Sequence, residues 1–263
     1  MKTVHLQKVA HAFKINDEPA ERPPTLFEDT MFIGEEGKPI GFYLAKLPER
    51  LQALVNIADA ELNSDRVPKS LMERKQPMGK GPDGKMQYRI VDQYSCILGS
   101  IPPKPHMRRG YPNRSAVHTV ASARTFVKAM IKAGTEALGI VEQAAPEVYA
   151  MHREAVLRRV PEKWRFAELF SSSISNCNIA ARMHQDNLNV KGGINAIITK
   201  RRNAIGGNLF VPDYDTTFNS ADNSLLVYPA WRNLHGVTPI VPTHPGGYRN
   251  SLVWYALDAF YGH

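Results

Sequence analysis

Beyond Phe166 the chain abandons helical spacing and becomes a succession of short apolar runs, at residues 170–175, 193–199, 207–211, 224–228, 234–237 and 251–256, divided by Gly, Pro, Asn and Asp. Runs of this length bounded by turn residues read as strands, and several in succession close into a barrel or a two-sheet jelly roll. A double-stranded β-helix of that kind directs alternate side chains of each strand into a shared cavity. The expected fold class is therefore α+β, with a cupin-like double-stranded β-helix core over residues 166–263 buttressed by helices from the N-terminal half.

The preceding residues have a different texture. Residues 17–45 carry Pro19, Pro23, Pro24 and Pro39 around two short apolar runs, which suggests irregular structure with short strands. From Pro48 to Leu62 apolar residues recur at Leu51, Leu54, Val55, Ala58 and Leu62, the spacing of an amphipathic helix. Residues 76–85 form a basic, turn-rich loop, suited to a surface linker or to a mobile lid. Between Ser115 and Val160 the pattern is helical again, with a restart at Pro146. With 263 residues, 43% of them apolar, one buried domain is expected over 1–263: an N-terminal extension (1–89) with irregular structure and one helix, helical support (90–165) and the catalytic core. Residues 1–16 lack a continuous apolar core, so neither signal peptide nor membrane helix is expected. Cys96 and Cys177 are too few for a disulfide framework or a Cys-rich zinc module, and they read as small buried residues in a cytoplasmic protein.

Within the strand-rich part, His184 and Asp186 would share one face if their segment is extended, and His235 on a later strand would supply a third ligand. Two histidines and one carboxylate on one side of a metal leave positions open, the arrangement of non-haem Fe(II) oxygenases. The plainer readings are hydrogen-bonded histidines and a turn at Asp186-Asn187. His244 competes as third ligand, but its setting, Pro242-Thr-His-Pro-Gly-Gly247, is that of a loop. Arg249, placed as an antiparallel neighbour of His235, would pair with an anionic co-substrate, because a guanidinium is permanently charged and matches a carboxylate bidentately. The co-substrate with that chemistry is 2-oxoglutarate, with O2 at a remaining metal position.

Thirty-three basic residues against 25 acidic give a net charge of +8. Arg108, Arg109 and Arg114 surround Tyr111, and Lys200, Arg201 and Arg202 form a second run. Such basic runs interleaved with aromatics suit phosphate contact and base stacking, although a solvated basic face has the same composition.

The segments His184-Gln-Asp-Asn-Leu-Asn189, Ala204-Ile-Gly-Gly-Asn-Leu-Phe-Val-Pro212, His235-Gly236 and Arg249-Asn-Ser-Leu-Val-Trp-Tyr255 resemble the TET/JBP group of Fe(II)/2-oxoglutarate dioxygenases, which oxidise the 5-methyl group of pyrimidines in DNA. Residues 94–103, with Arg108, Arg109 and Arg114, are similar to short phage-encoded members, and the resemblance spans roughly residues 90–260. It implies iron ligation by His184, Asp186 and His235, and a 2-oxoglutarate carboxylate held by Arg249 with help from Ser251. It also implies contact of Asn189 with a flipped base, and a base pocket lined by Tyr255, or stacking on Trp254. Methylcytosine-oxidising members carry a His where this chain has Leu257, which tilts the implied substrate toward thymine, oxidised to 5-hydroxymethyluracil. DNA, with the target base extruded or single-stranded, is the implied partner, and no protein partner is implied. Open alternatives are 5-methylcytosine oxidation, a 2-oxoglutarate oxygenase acting on a small molecule or protein, and a catalytically inactive module that binds modified bases.

Overall fold

The C-terminal strands are shared between two facing sheets, in a computed structural model that describes residues 1–72, 76–80, 86–89, 93–104 and 109–263. The larger sheet contains, in spatial order, Lys2–His5 (β1), Thr30–Ile33 (β2), Pro39–Leu44 (β3), Ser224–Tyr228 (β14), Asn195–Arg202 (β10), Tyr248–Tyr255 (β17), Ser172–Cys177 (β8), Tyr94–Ile101 (β6) and Asn113–Arg114 (β7). The smaller contains Thr216–Phe218 (β13), Leu209–Val211 (β12), His235–Val237 (β15) and Ala181–His184 (β9). Ribbons of Gln76–Lys80 (β4) with Met86–Arg89 (β5), and of Ala204–Gly206 (β11) with Ile240–Pro242 (β16), lie outside these sheets. Strands β8, β10, β14 and β17 on one side and β9, β12, β13 and β15 on the other are the eight strands of a double-stranded β-helix.

Three helices, Glu49–Asn63 (α1), Arg124–Ala144 (α2) and Pro146–Arg159 (α3), accompany the sheets among the described residues. The α1 stripe Leu51, Val55, Ala58 and Leu62 is fully buried, and with Phe126, Met130, Leu252 and Trp254 it belongs to one apolar cluster between helices and larger sheet. Side chains of β17 alternate, so Leu252 and Trp254 join this cluster while Arg249, Ser251, Val253 and Tyr255 line the cavity between the sheets. The Trp254 ring is therefore not a stacking platform for a base: it is wholly buried and its Nε1 donates to the carbonyl of Met130 at 3.0 Å. A second cluster, including Phe32, Tyr43, Val211, Phe218 and Tyr228, fills the other end of the space between the sheets.

The N-terminal residues are more ordered than their prolines suggest. Strands β2 and β3 extend the larger sheet beyond β14, and residues 6–27 run as a strap along the smaller sheet, with backbone N–H groups of Val9, Asn16 and Thr25 donating to Asp213, Met183 and Thr217. Phe13 meets Phe210 edge-on at 5.3 Å and Arg22 lies over the same ring at 4.1 Å. Residues 94–101, expected within helical support, form a strand beside β8, where an apolar run reaches Gly99 in the left-handed region at φ +80°. Part of the expected 76–85 loop is paired strand, and residues 81–85 lie outside those described. No described helix is long and apolar enough to cross a membrane.

Two stability predictions follow from the helix–sheet layer. A Cβ on Gly134 of α2 would lie 2.7 Å from Trp254 Nε1 and from Ala167 Cβ. Ala favours a helix over Gly by about 1 kcal/mol, but overpacking costs about 1–3 kcal/mol, so Gly134→Ala should lower the urea midpoint instead of raising it. His152 of α3 is wholly buried against Phe170, and burial pushes its pKa from the ordinary 6.5 down to about 4. The unfolded chain takes up this proton below its own, higher pKa while the native state refuses it, so the stability is complete above pH 6.5 and is lost as pH falls toward 4. Roughly 3 kcal/mol is at stake, and His152→Asn should show a smaller drop in unfolding free energy between pH 7.5 and 5 than the parent.

Candidate metal and co-substrate site

The smaller sheet brings two distant histidines together. His184, the last residue of β9, is the register partner of His235, the first of β15, and the ring centroids are 4.3 Å apart. Asp186 lies past the end of β9, so strand alternation does not place it. Instead the chain turns, with Asn189 N–H donating to the Asp186 carbonyl at 2.9 Å, and the Asp186 carboxylate comes within 3.7 Å of His184 Nε2. The anticipated turn and the anticipated clustering are thus both present. One ligand atom each from His184, Asp186 and His235 lies within 4.8 Å of the others, close enough to hold one ion.

The surroundings orient these donors. Nδ1 of His184 is 2.7 Å from the Arg182 carbonyl, and Nδ1 of His235 is 3.0 Å from the Asn233 carbonyl. A carbonyl only accepts, so both rings carry their proton on Nδ1 and present the Nε2 lone pair. Asn233 is itself held, accepting from Tyr228 Oη at 2.8 Å and donating to Asp213. Burial, then the neighbouring His184, keeps the His235 pKa below its usual value, which preserves the neutral, ligating form. Asp186 Oδ2 accepts from Asn195 Nδ2 at 3.0 Å and from Asn189 Nδ2 at 3.3 Å, and Asn189 also donates to Asn195 Oδ1 at 2.9 Å. Asn189, expected at the base, lines the cavity and also orients the carboxylate. Asn195 is a participant that motif reading missed, although an Asn opening an apolar strand, where Asn is disfavoured, was a visible signal.

Facing the triad, the larger sheet contributes Arg249, Ser251, Val253 and Tyr255 from β17 and Ile174 and Asn176 from β8 to a cavity of about 440 Å³. Arg249 is not a ladder neighbour of His235. The chain leaves the smaller sheet after Val237, turns through the exposed loop bearing His244, and enters the larger sheet at Tyr248, so Arg249 looks at His235 across the cavity. Arg249 is 2% exposed, donates to Ser220 Oγ at 3.3 Å, and has no partner for Nε among the described residues. Burial, then the charge of Arg201, pushes its pKa down to about 9, so it remains cationic at neutral pH. A buried cation with a donor unspent fits an anionic ligand, and the triad fits a divalent metal. Burial and the charge of Asp186 raise the Tyr255 pKa, keeping the phenol neutral at the cavity wall beside Leu257.

The basic residues expected at DNA divide by burial. Lys200 is 8% exposed and its ammonium is held by Asn56, Asn223 and Asp222, so it is not available to phosphate. Arg201 is half-buried with its guanidinium on the Gly206 carbonyl, and Arg114 donates to the carbonyls of Lys163 and Arg165. Arg109 and Arg202 are exposed, and Arg108 lies outside the described residues.

Titration of a divalent metal should saturate at one ion per chain. Asn195→Ala, which frees Asp186 Oδ2, should weaken that binding by about tenfold while circular dichroism stays native.

No family model matches the sequence, and no curated protein matches it. The structure of NgTET1 in complex with 5mC DNA aligns with a TM-score of 0.61 at 13% identity, covering 94% of this chain and 84% of that one. A 2OG-Fe(II) oxygenase family oxidoreductase from Burkholderia pseudomallei aligns at 0.42 with 14% identity, over 81% of this chain and 83% of its own, a match too loose to bear on the fold. OsALKBH1 aligns no better, at 0.40 with 14% identity, over 79% of this chain and 95% of its own. At 13% identity a likeness speaks for the path of the backbone: this chain has the double-stranded β-helix fold found in the NgTET1 structure.

Proposed function

We propose that the protein is an Fe(II)- and 2-oxoglutarate-dependent dioxygenase that hydroxylates the 5-methyl group of a pyrimidine in DNA. The observation that carries this reading is the meeting, across one cavity, of the His184/Asp186/His235 cluster with the buried Arg249, whose Nε has no partner among the described residues. A metal triad alone serves many reactions, but a buried guanidinium facing it selects an anionic co-substrate.

Iron with 2-oxoglutarate and O2, when bound, supplies oxidation of a C–H bond coupled to decarboxylation. His184, Asp186 and His235 would hold the metal from one side, with Asn195 and Asn189 fixing the carboxylate by hydrogen bonds. Arg249 would orient the distal carboxylate of the co-substrate, with Ser251 two residues along the same face of β17. Apolar Ile174, Val253 and Leu257 would exclude water from the methyl group. A thymine methyl lies in the major groove, so a target base must be extruded or unpaired to enter a cavity of this depth.

The Leu257 side chain, at the cavity wall, can neither donate nor accept a hydrogen bond, which supports thymine over 5-methylcytosine within the resemblance to TET/JBP enzymes. The second reading, 5-methylcytosine, is favoured by the 5mC DNA in the aligned NgTET1 complex. Exposed Arg109 and Arg202 and the net charge of +8 support a polyanionic partner, met in the cytoplasm of a bacterial or phage-infected cell.

Incubation with Fe(II), 2-oxoglutarate and DNA containing thymine or 5-methylcytosine, followed by digestion and mass spectrometry, should reveal hydroxymethylated nucleosides with the parent protein and none with Asp186→Ala. Succinate released at the same rate without DNA, and no modified base from either DNA, would rule the DNA reading out and leave a small-molecule or protein substrate.

A further inference from the structure

Arg249 does not stand alone. Its register partner in β10 is Arg201, so the two side chains leave the same face of the larger sheet from directly opposed positions. Like charges so placed repel, and among the described residues no carboxylate forms an ion pair with either guanidinium. Asp222, whose charge offsets Arg201, spends its oxygens on the Arg201 backbone N–H at 2.8 Å, on Lys200 at 3.1 Å and on Asn223 at 2.7 Å.

The glycine pair that follows β10 holds both arginines in place. Gly206 and Gly207 are in the left-handed region, at φ +70° and +64°. The Gly206 carbonyl accepts from Arg201 Nη2, while a Cβ on Gly207 would sit 3.3 Å from both Cδ and Nε of Arg249. Each guanidinium nevertheless keeps a buried Nε with no partner among the described residues. Two opposed, positioned cations with donors unspent form an arrangement that costs stability until an anion reaches it.

We propose that Arg201 is a specificity-determining positioning residue of the co-substrate site, setting a second positive charge behind Arg249 so that the pair selects 2-oxo acids with a full negative charge at the end remote from the metal. This inference rests on the co-substrate reading above. Arg201 lines a neighbouring cavity of about 540 Å³, with Glu21, Arg22, Asn208 and Asn219, and not the cavity of the triad, so it acts through Arg249 and its field and does not touch the reacting atoms.

The test is calorimetric and needs no turnover. Protein loaded with Mn(II) is titrated with 2-oxoglutarate and with 2-oxopentanoate, which keeps the keto-acid end and lacks the distal charge. Arg201→Gln should weaken 2-oxoglutarate binding by about tenfold and change 2-oxopentanoate binding by less than about twofold, with Arg201→Lys keeping most of the 2-oxoglutarate affinity. Equal losses for both ligands, or an unchanged 2-oxoglutarate affinity, overturn the inference while leaving the co-substrate reading intact. A parent protein that binds Mn(II) but not 2-oxoglutarate overturns the co-substrate reading itself, and this inference with it.

Discussion

The antiparallel ladder between Asn195–Arg202 and Tyr248–Tyr255 is the interaction on which the rest of the molecule depends. Its strict alternation turns Leu252 and Trp254 toward the helices and Arg249, Ser251, Val253 and Tyr255 toward the cavity, so one register determines both the apolar layer and the site. A slip of one residue would exchange the two sets, burying a guanidinium among leucines and aiming an indole at the metal triad. The helix side resists that slip through polar as well as apolar contacts. Asp59 of α1 accepts from Tyr248 Oη at 2.6 Å and from Asn250 Nδ2 at 2.8 Å, holding the residues on either side of Arg249.

Electrostatics divides the cavity into two ends of opposite need. At the triad, two imidazole Nε2 atoms and one carboxylate present lone pairs to a cation, and their outer atoms are committed to backbone carbonyls and side-chain amides. At the other end, Arg249, with Arg201 behind it, carries a charge that no carboxylate among the described residues pairs. A molecule with a chelating head and an anionic tail satisfies both, whereas a metal ion alone or an anion alone satisfies one. The N-terminal strap contributes at a distance: Asn16 and Asp17 exchange backbone hydrogen bonds with Met183 of β9, the residue before His184.

Legibility in the sequence followed the physics of each feature. The helices α1, α2 and α3 were readable because amphipathic spacing is a local property, and the restart at Pro146 because proline suits the first turn. Most jelly-roll strands were readable as short runs between turn residues. One that was not, Thr216–Phe218, has three residues and no distinctive composition. Strand Tyr94–Ile101 was hidden because its stability comes from β8, a neighbour more than seventy residues away. Lys200 looked like part of a basic surface run because composition cannot tell that alternation drives its ammonium inward to Asn56 and Asp222.

By itself the sequence determined which residue types are present for chemistry, His184, Asp186, His235 and Arg249, and that they lie in strand-forming surroundings, because ligand chemistry and local propensity are properties of short segments. The tertiary structure alone decided how they meet. Asp186 reaches His184 through a turn and not along a strand, His235 and Arg249 face each other across two sheets and not within one, and Arg201 is set against Arg249 by register. Those relations depend on pairing between strands far apart in the chain, where hydrogen-bond register and sheet packing, not local propensity, choose the partners.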